Sequence, residues 1–177
     1  VADMLYRDGL AVIFGAPGAG KSFLALDLAL SLCAGVDWRG SALTGRDQGR
    51  GTAHYVMAEG AGVNGLRIDA WLHYHGLREE CLGQRFVPYV EPIMLPDSGI
   101  ARYLPDVAAD RSDMVILDTR NLMFVGRESQ PEDYGTMLRA LHAIRRAADG
   151  AAVVLIDHSG LAGPNRPRGS NARAAGV

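Results

Sequence analysis

The sequence predicts an α/β fold: a parallel β-sheet with helices on both faces. Four short apolar runs, "LAVIF" (10–14), "TAHYVMA" (52–58), "DMVILD" (113–118) and "AAVVLID" (151–157), read as strands buried within such a sheet. Segments with helical spacing alternate with them. The first run leads through "GAPGAGKS" (15–22) straight into a Leu- and Ala-rich helical segment. With 177 residues, 48% hydrophobic and 21% charged, the chain is large enough for one globular domain with a sizeable core, residues 1–177.

In order, "LAVIF" is an unbroken apolar run, as in a strand covered on both faces. "KSFLALDLALSLCAG" (21–35) follows as a helix with Gly35 as its C-cap. Residues 36–51 are glycine-rich, lack periodicity and read as loop. "NGLRIDAWLHYHG" (64–76) has apolar residues at helical spacing and closes on glycine. "RFVPYV" (85–90) is a short strand that Pro88 assigns to the sheet edge. A weaker helix near 98–109 is disturbed by Pro105. "PEDYGTMLRALHAIRRAADG" (131–150) is the clearest helix, with proline and acids at its start, arginines in its last turns and a closing glycine. There is no internal repeat or low-complexity tract.

Net charge is -2, so no global basic field advertises nucleic acid, and any such contact must be local. Cys33 and Cys81 offer neither a disulfide framework nor metal-ligand spacing and read as reduced thiols of a cytoplasmic protein. No signal peptide or bilayer-length apolar run is visible, so no membrane partner is expected. The chain begins with Val1 and ends in "NARAAGV", which reads as an excised piece of a longer protein.

Strand, Gly-x-x-x-x-Gly-Lys-Ser, helix is the P-loop arrangement. Its glycines let backbone N–H groups turn inward around phosphate oxygens, and the next helix presents its positive end. Gly15, Ala16, Pro17, Gly18, Ala19, Gly20, Lys21, Ser22 and Phe23 are therefore the candidate ATP-binding residues. Lys21 is placed to neutralise the β- and γ-phosphates, and the Ser22 hydroxyl to ligate Mg²⁺.

In open parallel sheets, ligands sit at the carboxyl ends of strands. "DMVILD" ends in Asp118, a second candidate metal acid, or else the cap of the following turn. "HYVMAEG" ends in Glu59, which can polarise an attacking water or be an ordinary surface acid. "VVLIDHSG" brings Asp157 and His158 to a strand end; His158 can hydrogen-bond a γ-phosphate, or be structural. His54, His73, His75 and His142 have no such placement and read as structural. The segment 161–177 carries Arg166, Arg168 and Arg173 and no acid. It is either a solvated end or a loop that offers arginines to phosphate, of a neighbour's nucleotide or of a nucleic acid.

Together these pieces resemble the RecA-like ATPases, most closely the RepA-type hexameric replicative helicases of plasmids and phages. The matching segments are "GAPGAGKSFLALDLALSLCAG", a following "W" and "G", "HYVMAEG", "RIDAW", "VILDT", "VVLIDHSG" and "RGSNA", spanning about residues 10 to 173. The resemblance implies that Lys21 and Ser22 bind phosphate and Mg²⁺ and that Asp118 completes the metal site. It implies Glu59 as catalytic base, His158 as γ-phosphate sensor and Arg168 as an arginine finger given to the next subunit of a hexameric ring on single-stranded DNA. The chain departs from the family at Asp157, where a histidine is usual, at Leu161, where a lysine is usual, at Asn171, where a serine is usual, and in "GRESQ" (126–130). The family's further strands after "RGSNA" are missing, which predicts an exposed sheet edge.

Three functions compete at this point. An ATP-driven motor on DNA, an oligomeric helicase or helicase-loader-like ATPase, accounts for most of the pattern. An ATP-dependent switch or recombinase-like filament protein is favoured by the altered positions after the last strand. A P-loop kinase for a small acceptor would need an arginine-bearing lid, which the sequence does not show.

Overall fold

β1 (Leu10–Gly15), β2 (Ala53–Met57), β3 (Phe86–Tyr89), β4 (Met114–Asp118) and β5 (Ala152–His158) form one sheet in the order β1-β5-β4-β2-β3, with every adjacent pair parallel. This computed structural model describes residues 5–47, 49–58, 61–91, 93–95, 98–124 and 131–158. The fold is α/β, with the sheet and flanking helices of a RecA-like P-loop core.

Strand alternation divides the core into two layers. Tyr55, Met57, Met114, Ile116, Val154 and Ile156 pack against α1 (Lys21–Ala34), Trp38 and Leu72 of α2 (Ala61–Tyr74). Val56, Val115, Leu117, Val153 and Leu155 face the other way, against α3 (Ser98–Ala109) and α5 (Pro131–Ala147). The central strands β2, β4 and β5 are buried nearly throughout, as expected for strands covered on both faces.

The first strand departs from expectation. "LAVIF" reads as a strand buried on both faces, but β1 lies at an edge of the sheet, paired with β5, and its residues are only half-buried, with Phe14 exposed. An apolar run reports hydrophobicity, not the number of neighbours a strand will have. β3 is the other edge, as Pro88 predicts: proline has no N–H to give to a ladder. Pro105 does not break its helix. α3 continues through it, because Tyr103 and Val107 are anchored fully buried in the second core layer. A 3-10 turn (Glu79–Cys81) and the one-turn helix α4 (Arg120–Met123) are too short to leave a periodic signal in the sequence.

At the amino ends of the strands, Asp113 accepts Arg7 at 2.8 Å, Arg46 at 3.1 Å and the Thr52 N–H at 3.1 Å. This ties the leading segment and the 36–51 loop beneath the sheet, away from the P-loop. His54 is a core histidine, as expected: its Nε2 lies 2.7 Å from Asp110 and its ring meets Tyr103 edge-on. Among the described residues, no helix is long and apolar enough to cross a membrane.

Candidate functional site

The site is assembled where β1, β4 and β5 end and α1 begins. After Gly15 the chain turns back on itself, with the Ala19 N–H donating to the Ala16 carbonyl at 3.2 Å. Gly18 and Gly20 take φ values of 75° and 82°, a region that favours glycine. A Cβ added at either would meet nothing within 4 Å, so the requirement is conformational, and the space beside the loop is open.

α1 starts directly at Lys21 with no side-chain cap on its N-terminus and no acid in its first turn. α5, by contrast, carries Glu132 and Asp133 in its first turn. Unsatisfied N–H groups and the positive dipole end of α1 thus converge beside the glycine loop, the chemistry that binds an anion. The Lys21 side chain is buried over that loop. Its Nζ donates to the carbonyls of Gly15 at 3.1 Å and Ala16 at 2.8 Å, and lies 3.4 Å from His158 Nδ1.

Side-chain parity explains the rest. Asp118 follows Met114 and Ile116 onto the α1 face of the sheet, where it is buried. The Tyr55 hydroxyl, from the neighbouring strand β2, reaches Asp118 Oδ2 at 2.8 Å and the Ser22 carbonyl at 3.2 Å. Burial, and next the Asp118 carboxylate, push this hydroxyl well above its ordinary pKa, so it remains protonated and donates. One hydroxyl therefore links the helix that carries Ser22 to the strand that carries Asp118. On β5 the parity separates two adjacent residues. His158 follows Val154 and Ile156 toward the P-loop, whereas Asp157 follows Val153 and Leu155 to the opposite face. There Asp157 meets Arg120 of α4, Nε to Oδ1 at 2.9 Å, with both side chains buried.

The oxygen-only pair of Ser22 hydroxyl and Asp118 carboxylate has the chemistry a hard cation requires. Among the described residues, no group of three or more His, Cys, Asp or Glu gathers to hold a metal unaided. A cation here would take its remaining ligands from phosphate and water, the usual mode for Mg²⁺.

Beside Lys21, a cleft of about 920 Å³ opens between α1 and α2. Phe23, Leu66, Arg67 and Trp71 line it, with the Arg67 guanidinium 4.5 Å from the centre of the Phe23 ring. Phe23 is 58% exposed and Leu66 68%, so this wall presents an apolar and cationic surface to whatever enters.

Of the residues singled out by sequence, Gly15 to Phe23, Asp118 and His158 are brought to one end of the sheet. Glu59, Arg166, Arg168, Arg173 and the "GRESQ" segment lie outside the described residues. The sequence reading missed Tyr55 and Arg120. Counting by twos puts Tyr55 on one face of β2 with Met57, but only the register with β4 sets that face beside Asp118. For Arg120 no comparable signal exists, because its partner is set by how α4 turns.

Residues 1–164 match the family model described as AAA domain. A search of curated proteins found no match.

Proposed function

The chain belongs to the AAA domain family of nucleotide-binding P-loop ATPases, and from that premise we propose that it is the Mg-ATP-hydrolysing motor domain of an oligomeric, replicative-helicase-like protein acting on single-stranded DNA. The observation that carries the nucleotide part is the uncapped start of α1 beneath the Gly18–Gly20 turn, with Lys21 folded over it.

In this reading the N–H groups from Gly18 to Ser22 cradle the phosphates. The Lys21 ammonium exchanges the Gly15 and Ala16 carbonyls for phosphate oxygens. Ser22 and Asp118 hold Mg²⁺, which when bound neutralises charge on the β- and γ-phosphates. Tyr55 keeps the Asp118 carboxylate oriented. The nucleoside end rests in the cleft against Phe23 and Arg67, whose ring and guanidinium suit a flat base. Glu59 draws the proton from the attacking water. His158, beside Lys21, donates a ring N–H to the γ-phosphate. Arg168 of a neighbouring subunit stabilises charge as the phosphoryl group leaves. The sheet's half-exposed β1 edge and the exposed side chains of Phe14 and Phe23 suit a subunit that works against a neighbour.

A second reading, an ATP-dependent switch that turns over slowly, draws on Asp157, which is held by Arg120 where the resembled family has a histidine. ATP turnover of the full-length protein with and without single-stranded DNA separates the two. The motor reading expects turnover that rises on adding DNA. Turnover indifferent to DNA would leave the switch, and absence of both binding and turnover would refute both.

A further inference from the structure

The Arg120–Asp157 pair has no part in the motor reading, yet it joins the two strand ends that frame the site. β4 and β5 are neighbours; one ends in Asp118 and the other in Asp157 and His158. Arg120 stands two residues beyond Asp118, and its guanidinium lies 5.7 Å from the Phe124 ring. Arg120 and Asp157 are 1% and 2% exposed at their side chains. The same Asp157 Oδ1 that meets Arg120 also accepts the backbone N–H of His158 at 2.8 Å.

Burying a charge pair is a poor route to stability: the desolvation penalty offsets the attraction, and apolar residues of similar volume often serve as well. Fixed geometry is what such a pair supplies that an apolar pair does not. Here the fixed element is the last peptide of β5, and the side chain hanging from it is His158, whose Nδ1 lies 3.4 Å from Lys21 Nζ. Two of the three ammonium protons of Lys21 go to the Gly15 and Ala16 carbonyls. The third is left for His158 Nδ1 at 3.4 Å; an ammonium can only donate, so this contact favours Nδ1 as acceptor and the ring proton on Nε2.

We infer that Arg120 and Asp157 are positioning residues that lock the end of β5 and hold the His158 imidazole, as its Nε2–H tautomer, against the P-loop lysine. The inference rests on reading His158 as the phosphate-facing group of an ATPase.

The test uses full-length protein labelled with ¹⁵N-histidine, at mildly alkaline pH, comparing wild type with Arg120→Met/Asp157→Leu. The apolar pair is expected to preserve the melting temperature. In wild type, the His158 ring nitrogens should show one Nε2–H tautomer; in the double variant they should show tautomer averaging. ATP turnover should fall by roughly 10²-fold, the scale of a small misplacement in an active site, with little change in KM. If the double variant does not fold, the uncharged pair Arg120→Gln/Asp157→Asn serves instead, since Asp157→Asn alone would leave the buried Arg120 charge unpaired. The uncharged pair keeps an oxygen for the His158 N–H but loses the charge, and is expected to show the same averaging. Averaged His158 signals in wild type, or a single Nε2–H form surviving in a folded variant, would overturn the inference. Absence of ATP turnover in wild type would refute the ATPase motor reading instead, and the nitrogen spectra would still decide the positioning claim.

Discussion

Tyr55→Phe removes one hydroxyl from the centre of the site and nothing else. Tyr55 is buried, and its ring, 6.2 Å from that of Phe86, can keep its packing in the variant. What is lost is the 2.8 Å donation to the Asp118 carboxylate and the 3.2 Å approach to the Ser22 carbonyl. A hydrogen bond to a charged group is worth about 1.5–3 kcal/mol, and here its loss strips a donor from a carboxylate that water hardly reaches. For a chain of this size, each kcal/mol moves the melting temperature by roughly 2–4 °C, so a fall of about 3–12 °C is expected. Thermal unfolding by circular dichroism measures it. A second effect is specific to the site: Mn²⁺ binding in the presence of ADP should weaken, while metal-free ADP binds as before. An unchanged melting temperature together with unchanged Mn²⁺ affinity would refute the reasoning, since it would mean that Tyr55 does not hold Asp118.

Glu59→Gln should bind Mg-ATP nearly normally yet turn it over ~10²–10⁴-fold more slowly, as loss of a general base does; near-normal steady-state turnover would make Glu59 a surface acid. Full-length Arg168→Ala and Lys21→Ala should each be nearly inactive, whereas a co-assembled mixture should regain ATPase activity, because an intact nucleotide site then faces an intact arginine; a mixture no more active than its parts excludes a role in trans. Burial holds the His54 pKa below its ordinary 6.5, against the opposing pull of Asp110 and Asp106. The native state then binds fewer protons than the unfolded chain, so this contribution to stability is complete above about pH 6.5 and is lost as pH falls through the lower folded value. Urea midpoints should decline over that range and flatten in His54→Gln; parallel profiles would show that other groups set the slope.

The fold was legible because its signals are local. Each central strand is a short apolar run, and glycine or proline marks most of the helix and strand boundaries. What stayed hidden depends on neighbours in space. The run at 10–14 shows that β1 is hydrophobic but not that it lies at an edge. Pro105 argues against a helix until Tyr103 and Val107 are seen anchored in the core. In the site, the P-loop was legible as a motif, because its residues are contiguous and their spacing is the one a phosphate cradle would need. Asp118 and His158 could be named from their place at strand ends. Tyr55 and Arg120 act through contacts between separate elements, β2 with β4 and α4 with β5, and only the folded chain brings those partners together.

If the turn from Gly15 to Ser22 holds the phosphates of ATP, nucleotide binding must depend on Lys21. Calorimetric titration of the full-length protein with Mg-ATP, in wild type and in Lys21→Ala, tests it most directly. Saturable binding in wild type and its loss in the variant, with both proteins folded, is the expected result. Equal affinity in the two would contradict it.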